Sequence, residues 1–241
     1  MAASPAIHAW FPPGSLVELH KSPDVALNGQ LAQLVSCQDD EVAVCLLDGT
    51  RCQVDAAHIR TPDPRNLGSG TANGFDVLLG PQSSGSALGD EIAQCMMDKG
   101  FCVVRTCQSG GHETQDLLRQ MEVERKLSRL PEEIEEGYLG VGGKGKVVWV
   151  DAESPEVVKM NDQNLSYLAS LFQPYSEDVL GKSMVERTPA LLCLSLGEEG
   201  EDEYPFPLVD DGVLGDYLGI WRRQLVRIVQ FMGPSVNTVT L

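Results

Sequence analysis

The stretch GVGGKGKVVWVD, residues 140–151, brings together the residue types that hold a nucleotide. Gly140, Gly145 and Lys146 have the G-x-x-x-x-G-K spacing of a loop whose backbone N–H groups cradle phosphates. Asp151 ends the apolar run behind them, where a magnesium-binding carboxylate would stand. The flanks are wrong for this chemistry. A phosphate loop follows a strand and opens a helix, so that the helix N-terminus faces the anion. Here a helical turn is expected over 131–136, before the glycines, and a β-branched strand over 146–150, after them. Position 147 is Val and lacks the hydroxyl that ligates magnesium, and Glu132, Glu133, Glu135 and Glu136 would repel a triphosphate. The same flanks disqualify Gly140, Gly142 and Gly145 as a dinucleotide fingerprint. The expectation is a glycine hinge leading into a core strand anchored by Trp149, with no cofactor assigned.

The thiols are the next candidates. Cys102, Cys107 and His112 recur at five-residue spacing, but Cys102 falls in an apolar run over 101–104 and no fourth ligand is evident. Core packing is therefore expected there, with no metal assigned. Cys107 follows Arg105 and precedes a Ser-Gly-Gly loop and a helix, a setting that lowers a thiol pKa. With His112 as a possible base, Cys107 and His112 are the two catalytic candidates, set against an inert loop cysteine. No G-x-S-x-G elbow is present. The acidic run over 197–203 lacks the alternating register of a calcium loop. It reads as a solvated loop tacked down by Tyr204, Phe206 and Leu208.

Composition narrows the partners. The 241 residues carry a formal charge of -17, with 4 basic and 8 acidic side chains over 1–73 and 14 and 27 over 74–241. Binding a nucleic-acid backbone requires clustered cations, so nucleic acid and nucleotide are both disfavoured. Arg119, Arg125, Lys126 and Arg129 are accompanied by Glu122, Glu124, Glu132 and Glu133, which reads as a solvated, salt-bridged helix face. No apolar run approaches the roughly 20 residues that span a bilayer, so no membrane partner is expected. Seven cysteines with no C-x-x-C pair predict a reduced, intracellular, cytosol-like setting.

The elements that must position these residues form two blocks. Over 14–60, short extended segments at 16–19, 30–35, 42–47 and 51–54 are joined by tight turns, among them Asp48-Gly49, a type I′ hairpin signal. The pattern GSLVELHKSPDVALNGQLAQLV, then VAVCLLDGTRCQV and AAHIR, resembles the SH3-like barrels of the KOW and tudor kind. The resemblance implies a small barrel. No aromatic residue lies between Gly14 and Arg60, which argues against the cation–π cage of a methyl-lysine reader.

Residues 61–74 read as a Pro/Gly linker, and 75–241 as an acidic α+β domain. In that domain a strand is expected at 75–79. A helix follows with Leu88, Ile92, Cys95 and Met96 on one face, capped by Ser86 and Gly100, and a strand runs over 101–104. A helix over 113–129 carries Leu117, Leu118 and Met121 inward and a Glu122–Lys126 pair outward. Another holds Leu165, Leu168, Ala169 and Phe172 and stops at Pro174. A sharply amphipathic one with Val213, Leu214, Tyr217, Leu218 and Trp221 opens at Asp210 or Asp211. Further strands are expected at 190–194, at 225–231 as a largely buried one, and at 236–241 as its hairpin partner. Several neighbouring strands lack an intervening helix, so α+β is favoured over a doubly wound sheet.

The segment DEIAQCMMDKGFCVVR, residues 90–105, is similar to the leading helix and G-F-x-V-V strand of iron- and 2-oxoglutarate-dependent oxygenases of the prolyl hydroxylase kind. Their iron triad requires a histidine pair with a carboxylate, and no histidine follows His112. The reading for the whole chain is a non-catalytic protein-interaction or adaptor module. A degenerate or truncated oxygenase relative is the alternative.

Overall fold

The computed structural model describes residues 11–38, 40–63, 67, 74–107 and 111–232, with the backbone alone over 111–115. Packing divides the chain into two compact units. The first holds Met1–Ser109 with Leu171–Ser183, and the second Gly110–Ser170 with Met184–Leu241. Both helices and strands build the protein, as expected for the α+β class.

In the first unit β1 (Leu16–Leu19), β2 (Leu31–Gln38), β3 (Glu41–Leu46), β4 (Arg51–Asp55) and β5 (Ile59–Arg60) form one antiparallel sheet in the order β4-β3-β2-β1-β5. Its edges, β4 and β5, do not pair, so the sheet stays open. Inward-facing Val17, Leu19, Ala32, Leu34, Val42, Val44 and Leu46 form its core. The Asp48-Gly49 turn is present in a different form from the expected one. Gly49 alone has positive φ, at 87°, and its N–H donates to Leu46 O while Leu46 N–H donates to Thr50 O. This is a type I turn closed by a left-handed glycine, which needs only one residue of positive φ. The Asp48 carboxylate accepts the Thr50 N–H at 2.8 Å and braces it.

The sequence places a boundary in 61–74, much of which lies outside the described residues, whereas packing places the division at Ser109/Gly110. Residues following the expected linker are joined to the sheet by Gln33 of β2, which is 1% exposed. Its amide donates to Ser83 Oγ at 3.0 Å and accepts from Gln82 N at 3.0 Å. Ser83 follows β6 (Val77–Leu79), which pairs in parallel with β7 (Val104–Thr106) across the helix α1 (Gly85–Lys99). α1 buries Leu88, Gly89, Ile92 and Ala93, and leaves Cys95 and Met96 half-buried. It begins at Ser84 rather than Ser86, and ends as expected at Gly100 with φ 79°. The expected strand at 101–104 pairs only from Val104. A short helix, α5 (Ser176–Leu180), packs against α1, where Tyr175 Oη donates to Ser86 O.

In the second unit β8 (Ser128–Arg129), β9 (Gly145–Trp149) and β10 (Leu191–Ser195) form an antiparallel sheet in the order β10-β9-β8. The helices α2 (Gly111–Val123), α3 (Glu132–Leu139), α4 (Glu156–Phe172) and α6 (Asp211–Arg223) complete the elements. Leu118 and Met121 of α2 pack with Val150, Val158 and Leu192, while Ile134 of α3 packs with Leu130 and Val147.

α2 stops six residues before the expected end. Arg125 takes φ 54°, its N–H bonds Glu122 O, and Lys126 N–H bonds Met121 O, which is a Schellman cap without glycine. Lys126 consequently pairs with Glu124 and not Glu122. The strand expected at 225–231 does not form: Val226 and Ile228 are half-buried while Leu225, Val229 and Phe231 are exposed. The segment is held by side chains, Arg227 donating to Gly137 O and Tyr138 O and Gln230 to Asn161. Its expected partner at 236–241 lies outside the described residues. Among the described residues no helix is long and apolar enough to cross a membrane.

Candidate functional site

Lys146, the lysine of the apparent phosphate loop, lies on β9 with its side chain 12% exposed. Its ammonium is ion-paired to Glu122 and sits 5.0 Å from the centre of the Tyr204 ring. The glycine loop is tied down as well. Gly142 N–H donates to Glu136 Oε1 at 3.0 Å, and Lys144 pairs with Glu201 at 2.5 Å. The loop amide and both lysines are thus engaged by carboxylates of the same unit, and α3 precedes the loop as expected.

Arg129 departs from the expected solvated face. It is on β8, its side chain 4% exposed, in a bidentate pair with Glu135 of α3, itself 6% exposed. Nε and Nη2 donate at 2.8 Å each, and the guanidinium stacks 3.7 Å from the Phe206 ring. Glu201 stands 3.7 Å from Arg129 Nη1. The acidic run is therefore anchored: a 3-10 helix at Glu198–Glu203 is held through Glu201, with Tyr204 against the Lys146 ammonium and Phe206 against the buried Arg129 guanidinium. Leu208, expected to help tack it down, is fully exposed.

The thiols separate. Cys107 is half-buried, and its N–H donates to Leu79 O. Burial pushes its thiol up to about 11, aided by the buried Cys45 thiol beside it and opposed by Arg105. This is opposite to the depressed value its sequence setting suggests, because desolvation disfavours the thiolate more than one arginine favours it. His112 lies in the first turn of α2, and its side chain is outside the described atoms. Cys102 faces Cys95 of α1 and Asp76, whose ligand atoms all lie within 4.8 Å of one another. Burial first, and Cys95 second, push its thiol up to about 12. No disulfide joins the seven cysteines.

A run of exposed apolar side chains lies on and after α6. Asp210 caps the helix, accepting Val213 N–H at 2.9 Å. The inner side of α6 docks on α3 and β9 through Leu214 and Tyr217. Tyr217 stands between Tyr138, at 5.6 Å and 88°, and Trp149, at 6.1 Å, and Tyr138 Oη donates to Tyr217 O. Gly137 lets Trp221 lie against α3, since a Cβ there would be 2.5 Å from the indole. No α6 side chain is fully buried. Val213, Leu218, Trp221, Leu225, Val229 and Phe231 are between 37% and 58% exposed. The hydrophobic period at 213–221 marks this helix correctly, but it does not reveal that half of the apolar stripe has no covering layer.

No protein-family model matches the chain, and no curated protein and no solved structure matches it.

Proposed function

We propose that the chain is a non-catalytic protein-interaction module which binds a basic, apolar-striped segment of a partner protein along α6 and residues 224–232. The observation that carries this reading is the set of six large apolar side chains left exposed in one stretch of chain. Single exposed apolar residues are ordinary, whereas contiguous ones mark binding surfaces. Trp221 has the character of an anchor: it is large, held on one side by Gly137, and open on the other. Charge supplies the partner's sign. Residues 74–241 carry 27 acidic against 14 basic side chains, and although exposed Asp210, Asp211 and Asp216 are matched along the stripe itself by exposed Arg222, Arg223 and Arg227, the sign is taken from residues 74–241 as a whole.

The first unit is read as an SH3-like scaffold. Support comes from five short antiparallel strands in meander order, with β5 returning to β1 after a 3-10 turn at Ala56–His58. It presents no aromatic cage, since 14–60 holds no aromatic residue.

The test uses a designed Leu/Lys amphipathic helical peptide as probe, titrated against the full chain by calorimetry, with a Leu/Glu peptide as control. The Leu/Lys peptide should bind and the Leu/Glu peptide should not. Trp221→Ala should weaken binding about 30-fold, the effect of an anchor worth about 2 kcal/mol. Equal binding by both peptides, no effect of Trp221→Ala, or a self-associated chain that buries Trp221 would overturn the reading. Stoichiometric iron with a spectral response to 2-oxoglutarate would replace it with the oxygenase alternative.

A further inference from the structure

We propose that Asp76, Cys95 and Cys102 form a binding site for one zinc ion. The three residues come from separate pieces of the first unit, and the local fold converges them. Asp76 stands immediately before β6, Cys95 on α1, and Cys102 just past the helix end. The left-handed Gly100 turns the chain back on α1, so that Cys102 returns beside Cys95. The carboxylate is fixed before any ion arrives: Val103 N–H donates to Asp76 Oδ2 at 2.9 Å, and Asp76 N–H donates to Val103 O at 2.8 Å. Such an outer hydrogen bond orients a ligand and holds it ready.

The donor set selects the ion. Two sulfurs and one carboxylate oxygen suit zinc, whereas calcium and magnesium take oxygen donors only. In a tetrahedral site with Zn–S distances of about 2.3 Å, neighbouring sulfurs stand about 3.8 Å apart. The three donor atoms lie within 4.8 Å of one another, so rotation of the cysteine side chains closes the remaining gap. All three residues are half-buried, and the Asp76 side chain is 8% exposed. Three protein donors leave a fourth position for water or an outside ligand, the arrangement of open zinc centres.

Lys99 marks the site as one that attracts a cation. Its ammonium pairs with Asp76 Oδ1 and lies 5.0 Å from the Phe101 ring centre. It occupies one carboxylate oxygen from the last turn of α1, and its side chain is 33% exposed. Zinc must displace or share that contact, so Lys99 is a built-in competitor.

The experiment is a zinc titration of the reduced full chain against a chromogenic chelator, with cobalt(II) as a spectroscopic probe. One equivalent of zinc should bind, and cobalt should show thiolate-to-metal charge-transfer absorption together with tetrahedral d–d bands. Cys95→Ser and Cys102→Ser should each abolish both signals. Asp76→Asn should weaken zinc by about 10-fold or more, Lys99→Gln should tighten it, and Cys52→Ser should leave it unchanged. Should a variant misfold, the parent protein still decides the matter: zinc should protect Cys95 and Cys102, and not Cys52, from alkylation read by peptide mass mapping. Absence of stoichiometric binding, survival of the cobalt spectrum without both cysteines, or protection that spares Cys95 and Cys102 would overturn the proposal.

Discussion

Removing either member of the Arg129–Glu135 pair should be among the most damaging single changes in the second unit. Both side chains are almost wholly withdrawn from water, at 4% and 6% exposure, and two hydrogen bonds of 2.8 Å join them. Glu135→Ala leaves a buried guanidinium whose nearest other carboxylate, Glu201, is 3.7 Å away on a partly exposed side chain. An uncompensated buried charge of this kind costs about 3–5 kcal/mol. Set against a typical total of roughly 5–15 kcal/mol, that is a large share of the stability. For a chain of this size it lowers the melting temperature by roughly 6–20 °C, at about 2–4 °C per kcal/mol. Arg129→Lys keeps the charge but loses the fork and the stack on Phe206, so it should also destabilise. The double change Arg129→Met with Glu135→Leu should cost far less than either Arg129→Met or Glu135→Leu alone, because it removes both charges together. Urea unfolding followed by tryptophan fluorescence would supply the double-mutant cycle. If Glu135→Ala costs less than about 1 kcal/mol, the pair behaves as a wet surface bridge and the buried-charge reasoning fails. Additivity of the two single changes would refute the coupling as well.

Three further outcomes are expected. Gln33→Ala strands the Gln82 N–H, while Ser83 Oγ keeps its bonds to Leu78 O and Gly80 N–H, and should cost about 1–3 kcal/mol; Gly80→Ala sets a Cβ 2.3 Å from Gln33 Oε1, so combining the two in a denaturation cycle should show partial rescue. Neither the parent nor Lys146→Ala should show a rise in melting temperature with ATP or GTP, and a rise that Lys146→Ala abolishes would restore the phosphate-loop reading, since ligand at a hundredfold Kd adds about 2.7 kcal/mol. The Thr50 N–H holds the Asp48 carboxyl below its usual value of 3.8. Its contribution is full above that value and is lost as the pH falls through the lower folded-state value. The Thr50 amide resonance should therefore titrate with a midpoint below 3.8, and a midpoint at or above it would show the brace absent.

Much of the secondary structure follows from short-range pattern. The 3.6-residue period of Leu88 and Ile92 with a left-handed glycine behind them makes α1, and Asp210 followed by the Val213–Trp221 stripe makes α6. The β-branched run after Gly145 makes β9, and the helix before the glycines, α3, stands where the sequence expects a helical turn. These depend on backbone geometry within a few residues, which the residue types there determine.

What the chain does with its polar side chains was decided at longer range. Arg129 reads as a surface charge until Glu135 and Phe206 enclose it. Cys102 comes beside Cys95 and Asp76, which its spacing in the sequence does not reveal, because Gly100 reverses the chain. Cys107 has its thiol pushed up, opposite to what its sequence setting suggests, because it is half-buried beside the buried Cys45. The apolar run at 225–231 reads as a largely buried strand, yet Arg227 and Gln230 hold the segment by side chains and three of its five apolar residues, Leu225, Val229 and Phe231, are exposed. Desolvation and charge pairing depend on which atoms surround a group in three dimensions, and elements distant in sequence supply those atoms only once the chain has folded.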